Sequence, residues 1–542
     1  MQNPPMYLHG LWLLAACSEP ASPPTGDSSG SSGTASSPTT ATPTSTSAVT
    51  TGTDTSADTA ADTGEDTDQP VDPNLITHYF GAISLLPHDD NVSRCASWRL
   101  DNDQPLYVQS VLLDNEGSFH HSNWIVVPED DYPGPDGYWN CADRGFEEIG
   151  ASMKGTVLFA QSTQSFHEEQ KLSAGSVVKI PPRHKIVGLL HTLNTSPREY
   201  ESGLWLSLRL IHPKDVVGVV TPLSMQYKAI DIPGLSEARF TGKCDLSLAY
   251  GLVNPLQPLA LRLHYILPHY HYLGNYFDVT VIGGLLDGKS VYNHSGFSGE
   301  GNGLTFDPPL DLPGATGLQF TCGYDNWRNQ SIQWGNGDGE MCVMLALVEM
   351  EAKMGASVDT FNTLVDAKDG ILYYEGLCLA AGVAKNENQG MPSDAEVNGE
   401  LYLPPTDPNQ QDVPPLPSCH DADDALPGEA PTTLTSLRDT IFAPGCTFSA
   451  CHGKTAIAGL DLQATDLHAE LMNHKVVSAT DMPLVKPGDP DNSWLYQVLA
   501  KCDPKLSNGG SARHMPLNAP ILLDDALVAK LRAWIEAGAK DD

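Results

Sequence analysis

Four stretches of this chain carry residues of the types and spacing that could hold a metal ion. GSFHHSNWIVV carries His120 and His121 side by side, and IVGLLHTLN closes an apolar run with His191. LPHYHYLGNYFDV places His269 and His271 one residue apart, and NGDGEMCVMLALV sets Met341 behind a Gly/Asp loop at the mouth of an apolar strand. In an extended strand, side chains at i and i+2 point the same way. His269 and His271 therefore share a face with Leu267, Tyr265, Leu263 and Leu261, and that face reads as looking into a core. His120 and His121 are adjacent and would point to opposite faces. Converging on one ion requires a strand end or a bulge, and the preceding Asp-Asn-Glu-Gly turn offers that. Each group also has a plainer reading. A lone His-x-His is commonly a surface or capping pair, His191 fits a core histidine, and Met341 fits a core filler.

The elements that must position these residues are short strands. Residues 75–400 alternate apolar runs such as VVKIPP, GLWLSLRLI, LALRLHYIL and MCVMLALVEM with Gly, Pro, Asn and Asp turns, and long helical periodicity is scarce. This is the pattern of antiparallel β-sandwich domains, and the length fits two, at 75–222 and 223–400. LPPTDPNQQDVPPLP, within 401–418, reads as a Pro-rich, semi-stiff linker, and 419–542 as a separate small domain. At the other end, residues 18–74 are Ser, Thr, Asp, Gly and Pro with almost no large apolar residue, the composition of a disordered tether. MQNPPMYLHGLWLLAACSEP is an apolar run ending Leu14-Ala15-Ala16-Cys17. It resembles the lipobox of a bacterial lipoprotein, which implies a signal peptide over 1–17, acylation of Cys17 and export to the cell envelope, periplasmic or cell-surface side. No later run reaches the ~18 apolar residues of a membrane span, so attachment to a membrane is expected through lipid only. With 67 Asp+Glu against 30 Lys+Arg, a formal charge of −37, the chain lacks the basic footprint that nucleic acid or anionic lipid requires.

Taken in order, His-His, His, His-x-His and Met resemble the ligand series of the copper type II, ascorbate-dependent monooxygenases, the family of peptidylglycine α-hydroxylating and dopamine β-monooxygenases. CASWRL, FHHSN, YWNC, HYHYLG, the loop from Cys322 to Glu-Met-Cys and the trailing MEAK are similar to that family's segments, over about residues 80–355. The resemblance implies a jelly-roll-like pair of β-sandwiches and two coppers per chain, one on His120, His121 and His191, the other on His269, His271 and Met341. It also implies O2, a small substrate and a reductant such as ascorbate. The chemistry suits the division: three imidazoles serve both copper oxidation states, whereas a thioether favours Cu(I), the state that reacts with dioxygen. Iron and zinc are the alternative metals; neither is favoured by a thioether, and no carboxylate accompanies the histidines in sequence. By the same resemblance Cys95 pairs with Cys141, Cys322 with Cys342 and, by order, Cys244 with Cys378. Eleven cysteines suit an oxidising compartment. The family's polar substrate anchors are missing. Tyr265-Ile266-Leu267-Pro268 and Val343-Met344-Leu345 stand in their places, so peptide amidation is not expected and a less polar C–H substrate is.

The last segment has its own chemistry. IFAPGCTFSACHGK contains Cys446-x4-Cys451-His452, a longer-spaced form of the C-x-x-C-H haem attachment motif. Asp524 is placed as an N-cap, Leu527, Leu531, Trp534 and Ile535 form one apolar face, and Gly538 ends the helix. Together with Met515 these features resemble a small helical cytochrome c domain. That implies haem c with His452 proximal and Met515 distal, Met482 being the rival, and a role in electron delivery, alone or with an electron-donor protein. The alternative is a Cys446–Cys451 disulfide with Cys419 and Cys502 left to pair. For the chain as a whole, the alternative to an enzyme is a copper-binding or electron-transfer lipoprotein without turnover.

Overall fold

The computed structural model describes residues 72–542 apart from 162–165, 196–197, 272, 297–302, 336–338, 385–389, 417–418, 424–425, 427–431, 449–450, 454–456, 477, 479, 508 and 517–521. Cys17 and the tether as far as residue 71 lie outside the described residues. Eleven strands come first: β1 (Leu75–Leu85), β2 (Asp90–Arg99), β3 (Leu106–Asn115), β4 (Phe119–Pro128), β5 (Gly137–Asn140), β6 (Thr156–Gln161), β7 (His167–Lys171), β8 (Ser176–Ile180), β9 (His184–Leu193), β10 (Tyr200–Leu210) and β11 (Gly218–Val219). They form one sheet in the order β1-β10-β3-β8-β11, with β7 also on β3, and a second in the order β5-β2-β9-β4-β6. Leu106, Leu113, Leu206 and Leu208 of the first sheet share a core with Trp98, Trp124, Ile186 and Leu190 of the second. Alternate residues of each strand supply that core, the period of two that a half-buried strand requires.

The second strand group comprises β12 (Thr221–Tyr227), β13 (Asp231–Ile232), β14 (Ser236–Asp245), β15 (Arg262–His269), β16 (Gly274–Gly283), β17 (Ser290–Ser295), β18 (Leu304–Asp311), β19 (Ala315–Asn326), β20 (Ile332–Gln333), β21 (Val343–Glu349), β22 (Ala352–Val358), β23 (Asn362–Lys368), β24 (Ile371–Leu377) and β25 (Leu379–Ala384). Two six-stranded sheets result, β18-β15-β21-β12-β22-β25 and β17-β16-β19-β14-β24-β23, beside the β13-β20 pair. Asp369 and Gly370, both at positive φ, make the two-residue turn of the β23–β24 hairpin, the geometry that matches strand twist. The protein is thus mainly β, as its residue pattern predicts. Pairing is not uniformly antiparallel: β8–β11, β12–β22 and β14–β24 run parallel.

One irregularity decides which way the histidine strand faces. The register of β15 slips between Leu263 and Tyr265, and such a bulge reverses the alternation beyond it. Leu261, Leu263 and Ile266 consequently pack in the core of the second strand group. Tyr265 and Leu267, with Leu345 and Leu347 of β21, pack instead in the core of the first. The row Leu261-Leu263-Tyr265-Leu267 is therefore not one face, and the His269 side of β15 looks toward the first group. Buried His264, in the slip, ties the groups together: its Nδ1 lies 2.9 Å from the Ser176 hydroxyl and its Nε2 2.7 Å from Glu349 Oε1.

The Pro-rich segment is fastened rather than free. Tyr79 N–H donates to the Asn409 carbonyl at 3.0 Å, buried His78 meets Asp407 at 2.5 Å, and Asp103 N–H donates to the Tyr402 hydroxyl at 2.9 Å. A spacer pinned along β1 sets position instead of reach. Beyond it, helical stretches at 434–445, Leu467–Asn473, Trp494–Ala500 and Asp525–Glu536 enclose a third core containing Leu437, Phe442, Leu471, Tyr496, Leu531 and Trp534. The last helix stops at Ala537, with Gly538 at φ +97. Asp524 holds the N-cap position, but no side-chain cap hydrogen bond is made there. Its carboxylate pairs with Arg198 at 2.6 Å instead.

Among the described residues four disulfides are formed: Cys95–Cys141, Cys244–Cys378, Cys322–Cys342 and Cys419–Cys502. Such a set belongs to an oxidising compartment. Cys446 and Cys451 are free thiols, which removes the alternative of a bridge between them. Among the described residues no helix is long and apolar enough to cross a membrane.

Candidate metal centre

His120 and His121 lie on β4 and His191 on β9, strands that pair antiparallel with His121 directly opposite His191. The register slips between Phe119 and His121, the bulge that adjacent histidines need in order to turn toward one ion. One ligand atom from each of the three rings lies within 4.8 Å of the others. His120 Nδ1 and His121 Nδ1 are 3.1 Å apart, and the ring centroids are separated by 4.6 to 5.3 Å. Burial, reinforced by the neighbouring imidazoles, holds His120 and His121 well below the ordinary histidine range. Neutral imidazoles are what a metal ion requires.

Asp90 stands behind this cluster. Its Oδ1 lies 2.7 Å from His191 Nε2, a contact that leaves Nδ1 available and fixes the ring, as carboxylates do behind metal-bound histidines. The sequence reading found no such carboxylate. Asp90 is 101 residues from His191 in the chain and reaches it only because β2 pairs with β9.

The second set is assembled differently. His269 is the last residue of β15, opposite Val343 of β21. His271 lies past the strand end, in the turn before β16, so the turn and not strand alternation sets its direction. The two rings sit 5.3 Å apart and nearly perpendicular. His271 Nδ1 donates to the Gly339 carbonyl at 2.9 Å, leaving Nε2 for an ion. Burial, with the His271 ring adding to it, pushes His269 down to about 3. Met341, 2 % exposed, precedes Val343 by two residues, and its carbonyl accepts from the buried Tyr324 hydroxyl at 2.6 Å.

Glu340 holds this loop together. Its side chain is wholly buried and accepts from His271 N–H at 2.9 Å and Leu273 N–H at 2.8 Å. Burial pushes its carboxyl up to about 8, against the backbone donors of Leu273, His271 and Met341. A buried carboxyl group that accepts from both segments joins the two loops. Sequence reasoning used the Glu-Met-Cys loop for its methionine and missed the glutamate beside it.

The two sets are not remote. His269 and His271 act electrostatically on both His120 and His121, so the four rings lie in one field, as the reversed face of β15 requires. Leu267, Val343 and Leu345, the positions where polar substrate anchors were sought, are all buried, Leu267 and Leu345 within the core of the first strand group.

In the tail, His452 N–H donates to the Cys446 carbonyl at 2.9 Å and Cys451 N–H to Phe448 at 2.9 Å, which curls the two thiols and the histidine into a single turn. Free thiols next to a histidine are the donor set that covalent haem needs. Met482 and Met515 both pack against the third core, so packing alone does not separate them as distal ligands.

No family model matches the chain, and no curated protein matches it either. Among solved structures, the major capsid protein P2 of bacteriophage PM2 covers 51% of this chain and 98% of its own at 4% identity, with a TM-score of 0.22. The structure of infectious bursal disease virus, Gx strain, covers 51% and 72% at 11% identity, with a TM-score of 0.10. Overlaps of that quality carry no argument about fold family or function.

Proposed function

We propose that this protein is a copper-dependent monooxygenase of the copper type II class, exported and lipid-anchored through Cys17. In this reading two copper-binding β-sandwich domains, jelly-roll-like, precede a cytochrome c-like tail. The observation that carries the reading is the convergence of His120, His121 and His191 on one point, with the His269/His271 pair in the same electrostatic field. The overall reaction is RH + O2 + two electrons + two protons → ROH + H2O. Copper at the two sets supplies one-electron transfer and, where Met341 adds a thioether, a preference for the reduced ion that reacts with dioxygen. The chain's own residues do the rest. Asp90 and the Gly339 carbonyl orient His191 and His271 so that one nitrogen of each ring faces the site, and burial disfavours protonation of His120, His121, His269 and His271. Leu267, Val343 and Leu345 offer no donor to a carboxylate, and leaving one unpaired there costs several kcal/mol; this favours a weakly polar C–H substrate over a glycine-extended peptide. On the tail, Cys446 and Cys451 would carry haem c, with His452 and either Met515 or Met482 as axial ligands.

The second reading, a copper-binding or electron-transfer protein without turnover, is favoured by one observation: Leu267 and Leu345 are buried in the core of the first strand group. Metal analysis of the reconstituted protein followed by a product screen with small apolar substrates, reductant and O2 separates the two. Two coppers with reductant-dependent hydroxylated product supports the enzyme; two coppers without product supports the carrier. Zinc or iron retained in preference to copper sinks both.

A further inference from the structure

The tail does not hang from its linker; it is seated on the first strand group next to the three-histidine set. Gly445, immediately before Cys446, lies so close to the loop after β9 that a Cβ there would stand 2.7 Å from the Thr195 carbonyl oxygen. Only glycine permits that approach. Three residues further along the same loop, Arg198 pairs with Asp524, the residue that opens the last helix, at 2.6 Å. A third contact brings the tail against the second strand group, where a Cβ on Gly459 would meet the Trp327 ring at 3.7 Å. His191 is four residues before Thr195 on the same stretch of chain, so the segment that leads into Cys446 packs on the loop that leaves the end of β9. A free tether would give none of these contacts.

We propose that the seated tail is the electron entrance of the protein: Gly445 and Asp524 hold the Cys446-Cys451-His452 turn against the loop that follows His191, so that a haem on the tail would deliver electrons to a metal on His120, His121 and His191 within one chain. This rests on the copper and haem reading given above. One electron passes at each delivery, reducing that metal by one unit, and an external one-electron donor of the ascorbate class restores the haem. The seat lies on the loop that follows His191, through Gly445 at Thr195 and Asp524 at Arg198, so entry is through the three-histidine set.

Two variants test the seat without touching any proposed ligand: Gly445→Ala, which introduces the clashing Cβ, and Arg198→Glu, which places like charge opposite Asp524 on an exposed side chain. Hydrogen exchange on the full-length, metal-free protein reads the docking directly. Amides at 190–195 and 440–448 are expected to lose protection together in both variants; unchanged exchange on both sides overturns the seat. In copper-loaded, haem-bearing protein, the cupric resonance of the three-histidine set is then followed after adding ascorbate. Its loss is expected to be about tenfold slower in each variant, as a docked population reduced tenfold requires. Equal rates overturn the electron entrance. Wild-type protein that takes up no copper or gives no haem stain after denaturing electrophoresis defeats the functional reading and the entrance with it, while the exchange result still decides whether the tail is seated. Arg198→Glu guards against the case in which Gly445→Ala disturbs the tail's own fold.

Discussion

The two candidate ligand sets of this protein contain similar donors and are built by opposite means. The three-histidine set is a product of sheet pairing: His121 and His191 face each other across β4 and β9, a bulge swings His120 to join them, and Asp90 arrives on the neighbouring strand. The His269/His271/Met341 set is a product of loops, with one ligand at a strand end, one in a turn and one on a segment held by Glu340 and the Cys322–Cys342 bridge. Ladder hydrogen bonds fix the first before any ion binds. The second depends on one buried carboxylate whose own burial opposes its charge. The difference predicts a stiff site of fixed geometry and a more yielding one.

The largest effect expected is loss of metal altogether. His120→Ala combined with His269→Ala should reduce copper content from about two ions per chain to none; metal analysis equal to wild type would show that neither set binds. Next comes Met341→Ala, which should abolish oxygen consumption while the first copper and its cupric spectrum remain. If both coppers are lost together, the sets are not independent sites.

The orienting carboxylates sharpen the comparison further. Asp90→Ala should weaken copper at the three-histidine set by about 10–100-fold, the usual result of removing such a partner, and leave the other set intact. Glu340→Gln should do the reverse, because a glutamine retains one acceptor for the three backbone N–H groups and loses the rest. Titrations in which each variant weakens both sets equally would contradict the separation of scaffolds.

The smallest effect belongs to a carboxyl that serves neither set. Burial raises Glu148, hydrogen-bonded by Asn123 at 2.9 Å, from 4.5 to about 7. The folded state then binds more protons than the unfolded state between those values. Its contribution to stability is full below pH 4.5 and is lost as pH rises through 7, by about 3 kcal/mol. Glu148→Gln should therefore unfold at higher denaturant than wild type at pH 8 and alike at pH 4, with copper binding unchanged. A stability difference that does not depend on pH would assign the effect to packing instead.

Much of this was legible in the residues. Period-two apolar runs between Gly, Pro and Asp turns announce strands, because a half-buried strand leaves that mark locally, and the last helix was readable from Leu531, Trp534 and Ile535. Asp90 and Glu340 were not, since a carboxylate is no different in sequence whether it ends in solvent or behind a histidine. Nor was the seat of the tail: a Pro-rich segment looks like a spacer until His78 and Tyr79 are seen to hold it.

What the sequence determined by itself, then, is the inventory: strand-forming segments, five histidines and a methionine in an order that fits two metal sets, and two thiols before a histidine near the C-terminus. Tertiary structure alone decided how the inventory is arranged. The bulge at His264 turns the His269 face toward the first strand group, strand pairing brings Asp90 across 101 residues to His191, and Gly445 admits the tail against Thr195. Each of these is a contact between distant segments, whose energy depends on register and close approach. No local pattern of residue types encodes either.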